Sequence, residues 1–162
     1  MRAYPQPMPV IELMELPAAL PPHTPVVGLD LGEKTIGVAV SDLGLHIASP
    51  LGLIRRKKFT EDVGALFALM DERGAKGVVI GLPLNMDGTE GARCQSSRAF
   101  ARNLLRLRDM PIAFWDERLS TAAVERVLIE QADLTRARRA EVVDRAAAAY
   151  ILQGALDRLG WG

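Results

Sequence analysis

The chain has 162 residues with a formal net charge of zero, one cysteine and two histidines. Its length suits one domain with its own core. A single cysteine, Cys94, excludes an intramolecular disulfide and favours a reducing, cytoplasmic setting. Thiolate or imidazole metal sites are disfavoured, so any metal would need oxygen ligands, which points to Mg²⁺ or Mn²⁺. No apolar run is long enough to cross a membrane, so we expect no membrane partner.

The neutral total hides an uneven distribution of charge. Basic residues cluster in three places: Arg55–Lys58, the arginines between residues 93 and 108, and Arg136–Arg139. Basic clusters around separated carboxylates suit a polyanionic partner whose binding site has a negative centre.

Residues 1–25 form the first predicted segment. They contain seven of the ten prolines, at positions 5, 7, 9, 17, 21, 22 and 25, which forbid a continuous helix. We predict an extended or disordered arm here, followed by one domain over residues 26–162.

The first part of the domain predicts a β-meander. "VVGLDL" and "TIGVAVSD" are β-rich runs joined by "GEK", which indicates a hairpin, and "LHIASPLGLI" predicts a third strand interrupted at Pro50. A helix should follow, capped by Thr60 and ended by Gly74. "GVVIGL" then has the unbroken apolar character of a buried parallel strand.

The second part alternates helices and strands. After the loop "PLNMDGTEG" we predict a helix over 92–108, the strand "IAFW", a helix from Thr121, and a last helix from about Arg139 to Leu159. The helix over 92–108 should bury a stripe of Phe100, Ala101, Leu104 and Leu105. This order predicts an α/β protein with a mixed sheet of about five strands and helices on both faces, the outline of the ribonuclease H-like fold.

Three acidic residues stand where the local pattern favours other residue types. Asp30 interrupts a hydrophobic strand, Glu117 follows the end of the strand "IAFW", and Asp144 heads an alanine-rich helix that should be buried. Each alone has an ordinary explanation, such as Glu117 pairing with Arg118 or Asp144 with Arg145. Three converging carboxylates repel one another, and a divalent cation removes that repulsion. We therefore predict that the three residues bind metal and carry out catalysis.

Two neighbouring acids are weaker candidates for metal ligands. The strand "IAFW" should be separated from the Asp30 strand by "GVVIGL", so a ligand at its end must reach across about 10 Å between backbones. A glutamate side chain reaches further than an aspartate, which favours Glu117 over Asp116. Asp87, in the loop after the intervening strand, is the third choice.

Several polar and basic residues are expected to contact nucleic acid. Arg98, Arg102 and Arg106 recur every four residues and form one basic ridge, for which a solvated surface is the alternative explanation. Asn85 either turns the loop or touches a ligand. Lys34 and Arg118 are the remaining expected contacts.

Four motifs resemble the YqgF family, also called RuvX, from about Val26 to Asp157. They are "DLGEKTIGVAVSD", "VVIGLPLNMDGTEG", "WDERLSTAAVERVL" and "VDRAAAAYILQGALD". The resemblance implies a ribonuclease H-like fold and places the acids of the family motifs on Asp30, Glu117 and Asp144. Thr35 stands where the family often has a basic residue, which leaves Lys34 as the phosphate contact of the first motif.

The resemblance implies a metal-dependent nuclease that matures the 16S ribosomal RNA precursor. For the assembly we expect a monomer or homodimer, which the sequence does not distinguish. Cleavage of branched DNA, as by a Holliday junction resolvase, is the alternative, and a non-catalytic nucleic-acid-binding factor is another. Actin-like and sugar-kinase ATPases begin with a similar hairpin, but they need two such domains, which 162 residues cannot provide.

Overall fold

The computed structural model describes residues 9–119 and 136–161, with the backbone alone at residues 136–145 and 161. The strands are β1 (Val26–Leu31), β2 (Thr35–Ser41), β3 (Ala48–Arg55), β4 (Gly77–Leu82) and β5 (Ile112–Asp116). The α-helices are α1 (Phe59–Arg73), α2 (Ala92–Leu107) and α3 (Arg136–Trp161), and short 3₁₀ helices lie at Leu13–Glu15, Pro17–Ala19 and Glu117–Leu119. The helix expected from Thr121 lies outside the described residues.

The five strands form one mixed sheet in the order β3-β2-β1-β4-β5. β1, β2 and β3 are an antiparallel meander, and β4 and β5 each run parallel to their inner neighbour. The expected separation of β5 from β1 by β4 is confirmed. So is the ribonuclease H-like fold class, because meander and crossover connections occur in the predicted order.

Helices cover both faces of the sheet and create two hydrophobic cores. One core joins Leu29 and Ile80 to apolar residues of α1 and α2, and the other joins Val26 and Val79 to α3. Alternate residues of a strand point to opposite faces, so the two cores take alternate positions of β1 and β4. Within the described residues, no helix combines the length and apolar character needed to cross a membrane.

The ends of α1 correct one prediction and confirm another. The N-cap is Lys58 rather than Thr60, and no side chain caps the helix directly. The buried side chain of Asp62 instead accepts a hydrogen bond of 2.9 Å from the Lys57 N–H, which ties the preceding segment to the first turn. At the other end Gly74 takes the left-handed conformation expected of a helix-ending glycine, with φ 69°.

The irregularity expected in the third strand is present. Pro50 pairs with Ala39 and Gly52 pairs with Val38, so Leu51 is an extra residue against β2. Both the bulge and the position of β3 at the edge of the sheet are settings in which a proline is tolerated within a strand.

The described part of the N-terminal arm packs on the domain, unlike the expected extended or disordered segment. Leu16 is fully buried in the α3 core, and the Ile11 N–H donates a 2.9 Å hydrogen bond to the carbonyl of Ile112 in β5. The prolines do prevent a long helix, and two 3₁₀ turns form instead. Apolar residues spaced between the prolines supply the burial that composition alone did not reveal.

Helix α3 lies very close to the sheet where a glycine and alanines meet. A Cβ placed on Gly28 would come 2.6 Å from the Leu152 Cβ and 3.3 Å from the Ala148 carbonyl oxygen. Ala148 and Ala155 are fully buried, as expected for small residues that allow close approach.

We predict that Gly28→Ala lowers the free energy of unfolding by about 1–3 kcal/mol, because the new methyl group meets a helix Cβ that cannot rotate away. Urea denaturation measures this. Gly64→Ala is the matched control. Nothing lies within 4 Å of a Cβ placed at Gly64, and alanine is more favourable than glycine in a helix interior. Equal stability of Gly28→Ala and wild type would show that α3 can move off the sheet at little cost.

Candidate functional site

Asp30 occupies the second-last position of β1 and is 9% exposed. It shares the strand face of Val26 and Gly28, which is the face covered by α3. A buried carboxylate in a central strand is costly unless it is paired, hydrogen-bonded or bound to a metal. Its place in the strand puts Asp30 at the carboxyl edge of the sheet, on the face that α3 covers.

Glu117, immediately after β5, folds its side chain back over β4. A Cβ on Gly81 would lie 2.8 Å from Glu117 Oε1 and 3.1 Å from its Cγ, so the carboxyl group occupies the space that a side chain at Gly81 would take. Ile151 of α3 bounds the same space, with its Cδ1 2.7 Å from that position.

The sheet register brings Asp30 and Glu117 to one place. Leu29 pairs with Ile80, so the next residue of each strand, Asp30 and Gly81, are neighbours on the α3 face. Adjacent strands are about 4.8 Å apart. The backbone of Asp30 thus lies about one strand spacing from Gly81, the glycine over which the Glu117 side chain folds.

Gly81 was not singled out from the sequence. The available signal was a glycine inside an otherwise apolar buried strand, which often marks the close approach of another group.

The third expected acid, Asp144, belongs to α3, but its side chain lies outside the described residues. It precedes Ala148, which packs at Gly28, by four residues, or about one helical turn. Among the side chains that the structure does describe, no three from His, Cys, Asp and Glu group closely enough to hold a metal ion.

Asp116, the neighbour of Glu117, is bound to Arg118. The Arg118 Nη2 lies 2.7 Å from Asp116 Oδ2, and the Arg118 backbone N–H donates to Oδ1 at 3.0 Å. The arginine also donates to the Met86 carbonyl at 3.2 Å, which links the end of β5 to the loop after β4. The alternative in which Arg118 pairs with Glu117 is therefore replaced by a pair with Asp116. Any contact of this guanidinium with nucleic acid must compete with these protein partners.

The Asp116–Arg118 pair makes a pH-dependent contribution to stability. The hydrogen bond from the Arg118 side chain is the main cause that lowers the pKa of Asp116, and burial opposes it. The ion pair therefore stabilises the fold above the unfolded-state pKa, near 3.9, and this contribution is lost as the pH falls through the lower folded-state pKa. We predict that wild type is more stable than Asp116→Asn at pH 7 and that the difference shrinks below about pH 4. Urea midpoints measured across this range test it, and a constant difference would contradict the ion pair.

The loop after β4 is closed by its own hydrogen bonds. The N–H groups of Asn85 and Gly88 donate to the carbonyls of Thr89 and Asn85, at 2.9 and 2.8 Å, and the Asn85 amide donates to the Thr89 hydroxyl at 2.9 Å. The Asp87 carboxylate accepts from the Thr89 hydroxyl and N–H, which lowers its pKa. Asn85 and Asp87 thus have turn-forming roles, and the N–H groups of Asn85, Gly88 and Thr89 are already donated within the loop.

The basic ridge on α2 is not uniform. Arg98 makes a two-bond ion pair with Glu90, at 2.6 and 2.8 Å, and its guanidinium lies 5.0 Å from the Phe114 ring centre. Arg102 is exposed, and Arg106 makes one long hydrogen bond of 3.3 Å to Asn103. The arginines have no acid between them along the chain, but in space Glu90, eight residues before Arg98, folds onto it.

Lys34 lies at the exposed tip of the β1–β2 hairpin, four residues after Asp30. The turn is closed by the Gly32 N–H, which donates to the Thr35 carbonyl at 2.8 Å. Lys34 therefore projects from the same edge of the sheet as the carboxylates.

Comparison with known proteins identifies the family. The family model described as RuvX, Holliday junction resolvase, matches residues 24–158. The chain belongs to the RuvX family. A relative from Phenylobacterium zucineum is 72% identical over 94% of this chain and 98% of its own, and one from Rhodospirillum rubrum is 66% identical over 94% of each. Both carry the name "Putative pre-16S rRNA nuclease". Among solved structures, RuvC of Thermus thermophilus with a Holliday junction is similar, with TM-score 0.48 and 14% identity over 85% of this chain and 97% of that one.

Proposed function

We propose that this RuvX-family protein is a metal-dependent nuclease that cleaves phosphodiester bonds in the precursor of 16S ribosomal RNA. The observation that carries the proposal is that the Glu117 side chain folds over Gly81, the neighbour of Asp30 in the sheet, at the carboxyl edge of β1 and β4. The RNA substrate is favoured by relatives at 72% and 66% identity that are named for it.

The donor set fits a divalent cation. Both carboxylates offer only oxygen atoms, which Mg²⁺ and Mn²⁺ prefer, and the glycine beneath them leaves space that any larger residue would fill. Asp30, Glu117 and, from α3, Asp144 would hold the metal. A divalent cation bound there would supply an activated water and stabilise the leaving oxygen of a phosphodiester.

The protein's own groups fix the ligands and approach the substrate. β1 holds Asp30 in place, while Gly81 and Ile151 bound the position of Glu117. The Asp116–Arg118 pair anchors the start of the Glu117–Leu119 turn to the neighbouring loop. Asp116 and Asp87 make structural contacts with Arg118 and Thr89, and Glu117 is the acid whose side chain folds over Gly81, next to Asp30 in the sheet.

Nucleic acid is expected to lie at this edge, near Lys34, and along α2, which begins at this edge and ends near the opposite one. We infer contacts to phosphate from Lys34, Arg102 and Arg106, with Arg98, Arg118 and Asn85 contributing where they can leave their protein partners. The protein would act as a monomer or homodimer in a reducing cytoplasm, in keeping with its single buried cysteine.

We predict that the double variant Arg102→Gln, Arg106→Gln has a shallower slope of log RNA affinity against log salt concentration. The slope should fall by about 0.7 for each phosphate that the variant no longer neutralises. Arg98→Gln should have a smaller effect, because its guanidinium is already neutralised by Glu90. Titration of labelled RNA at several salt concentrations measures the slope. An unchanged slope in the double variant would identify the ridge as a solvated surface.

One assay tests the proposed function. The protein is incubated with precursor 16S ribosomal RNA and, separately, with a four-way DNA junction, each with and without Mn²⁺, and the new ends are mapped. Metal-dependent cleavage of the RNA at its mature end is expected, with Asp30→Asn as the inactive control. Cleavage confined to the junction would favour resolvase activity, the description attached to the family model. Binding without cleavage of either substrate would favour a non-catalytic factor.

A further inference from the structure

A groove of about 830 Å³ opens at the same edge of the sheet as the carboxylates but on its other face. Its walls are the β1–β2 turn, the segment between β3 and α1, and the first turns of α2, through Leu31, Gly32, Glu33, Arg56, Lys57 and Arg93. Leu31 packs against the core beneath α1 and α2, whereas Asp30 faces α3. The groove and the carboxylates therefore flank the end of β1 from opposite sides.

The groove carries excess positive charge. Arg56, Lys57 and Arg93 contribute three cations against the single acid Glu33. None of these three cations forms an ion pair with a residue in the described parts of the chain. This sets them apart from Arg98, Arg108 and Arg118, which are bound to Glu90, Asp71 and Asp116.

Arg56 is held in place without being neutralised. Its Nη1 donates a 2.7 Å hydrogen bond to the Gly32 carbonyl, and its guanidinium lies 5.9 Å from the Phe100 ring centre. Both interactions leave the full positive charge in place. An arginine fixed by a neutral acceptor is preorganised for an anion, since less side-chain entropy is lost on binding.

The position of Arg93 on α2 shows that the groove and the basic ridge lie on different sides of this helix. At 100° per residue, Arg93 lies about 140° around α2 from Arg98 and about 180° from Arg102. The buried face of α2, which includes Ser97 and Leu104, separates Arg93 from Arg98 on the shorter way round. Groove and ridge are thus two distinct basic surfaces.

We propose that this groove binds the sugar–phosphate backbone of the substrate strand beside the carboxylate site. The proposal rests on the proposed nuclease function and extends it to a strand path across the end of β1. Gly32 is two residues beyond Asp30, a distance of about 7 Å along an extended chain. A strand seated against Arg56 and Arg93 therefore passes next to the carboxylates, and the cations on one face offset the repulsion that the acids exert on phosphate.

The test compares Arg56→Gln with Arg93→Gln in one variant against a matched control. The control, Arg73→Gln with Lys76→Gln, removes the same charge near the end of α1 and the start of β4, at the opposite edge of the sheet. Binding of short labelled single strands, one RNA and one DNA, is followed by fluorescence anisotropy in metal-free buffer at several salt concentrations. Thermal midpoints establish that both variants fold as wild type does.

The groove variant should lower the slope of log affinity against log salt by about 1.4, or 0.7 for each of two phosphates that it no longer neutralises. The same relation gives a loss of affinity of about 25-fold at 0.1 M salt, while the control keeps wild-type values. Equal losses for RNA and DNA support backbone recognition, and a loss for one polymer supports the groove as the site for that polymer. Wild-type slope and affinity in the groove variant would overturn the proposal.

Failure of the groove and failure of the nuclease function give different results. If wild type cleaves RNA with Mn²⁺ but the groove variant binds normally, only the groove assignment is wrong. If wild type cleaves neither the precursor RNA nor the DNA junction, while the groove variant shows the expected lower slope of log affinity against log salt, the proposed nuclease function is wrong. The assignment of the groove as a binding site is then still supported.

Discussion

Asp30→Asn is expected to abolish metal-dependent cleavage, with a rate loss of about a thousandfold or more. A bound cation contributes several kcal/mol to transition-state stabilisation, and each 1.36 kcal/mol corresponds to about tenfold in rate. The variant should fold normally, because asparagine has nearly the same shape. In metal-free buffer its thermal midpoint should equal or exceed that of wild type, since one carboxylate of a repelling group is removed.

Thermal denaturation with and without Mn²⁺ provides a reading that does not depend on activity. Wild type should be stabilised by the metal, and Asp30→Asn should lose most of that shift. Asp71→Asn is the matched control: it makes the same chemical change at an exposed residue that binds Arg108. Wild-type turnover by Asp30→Asn would show that the metal assignment is wrong.

Glu117→Gln is expected to lower the cleavage rate by orders of magnitude, and Asp144→Asn similarly, whereas Asp116→Asn and Asp87→Asn should be much milder. The Glu117 carboxylate reaches over Gly81 toward Asp30, while Asp116 and Asp87 are engaged by Arg118 and Thr89. Single-turnover rates on one defined RNA substrate measure these differences.

Gly81→Ala tests the same geometry without altering any acid. Its methyl group would come 2.8 Å from Glu117 Oε1 and 2.7 Å from Ile151 Cδ1, so the glutamate must move. We expect a loss of cleavage and of the Mn²⁺-induced thermal shift. A crystal soaked in Mn²⁺ with metal bound by Asp30 and Asp144, and with Glu117 turned away, would contradict the Glu117 assignment.

The order of elements, the hairpin, the parallel strands and the separation of β1 from β5 could be predicted from the sequence. These features depend on local patterns, such as the unbroken apolar run of β4 and the glycine that ends α1. The same order predicted that β1, β4 and β5 end at one edge of the sheet. For that reason Asp30 and Glu117, which lie at the ends of β1 and β5, could be named together as site residues.

Side-chain partnerships could not be predicted in the same way. Glu90 pairs with Arg98 because the loop before α2 folds back onto that helix. Arg118 pairs with Asp116 because a 3₁₀ turn directly follows β5. Thr60 had the right chemistry for a cap, but the N-cap is Lys58, two residues earlier, and the Asp62 side chain ties the preceding segment to the first turn. Each outcome depends on distances in space that the spacing of residues along the chain does not fix.

The bond from Ile11 to Ile112 has a consequence for solubility. β5 is the outermost strand on its side of the sheet, and such a strand exposes N–H and C=O groups with which a second molecule can form an intermolecular sheet. Ile11 forms a parallel bridge to Ala113 and so occupies part of that row. Pro9, two residues before Ile11, lacks a donor N–H and so limits the strand pairing that this bridge could continue. The bridge therefore covers part of an edge strand that could otherwise pair with a second molecule.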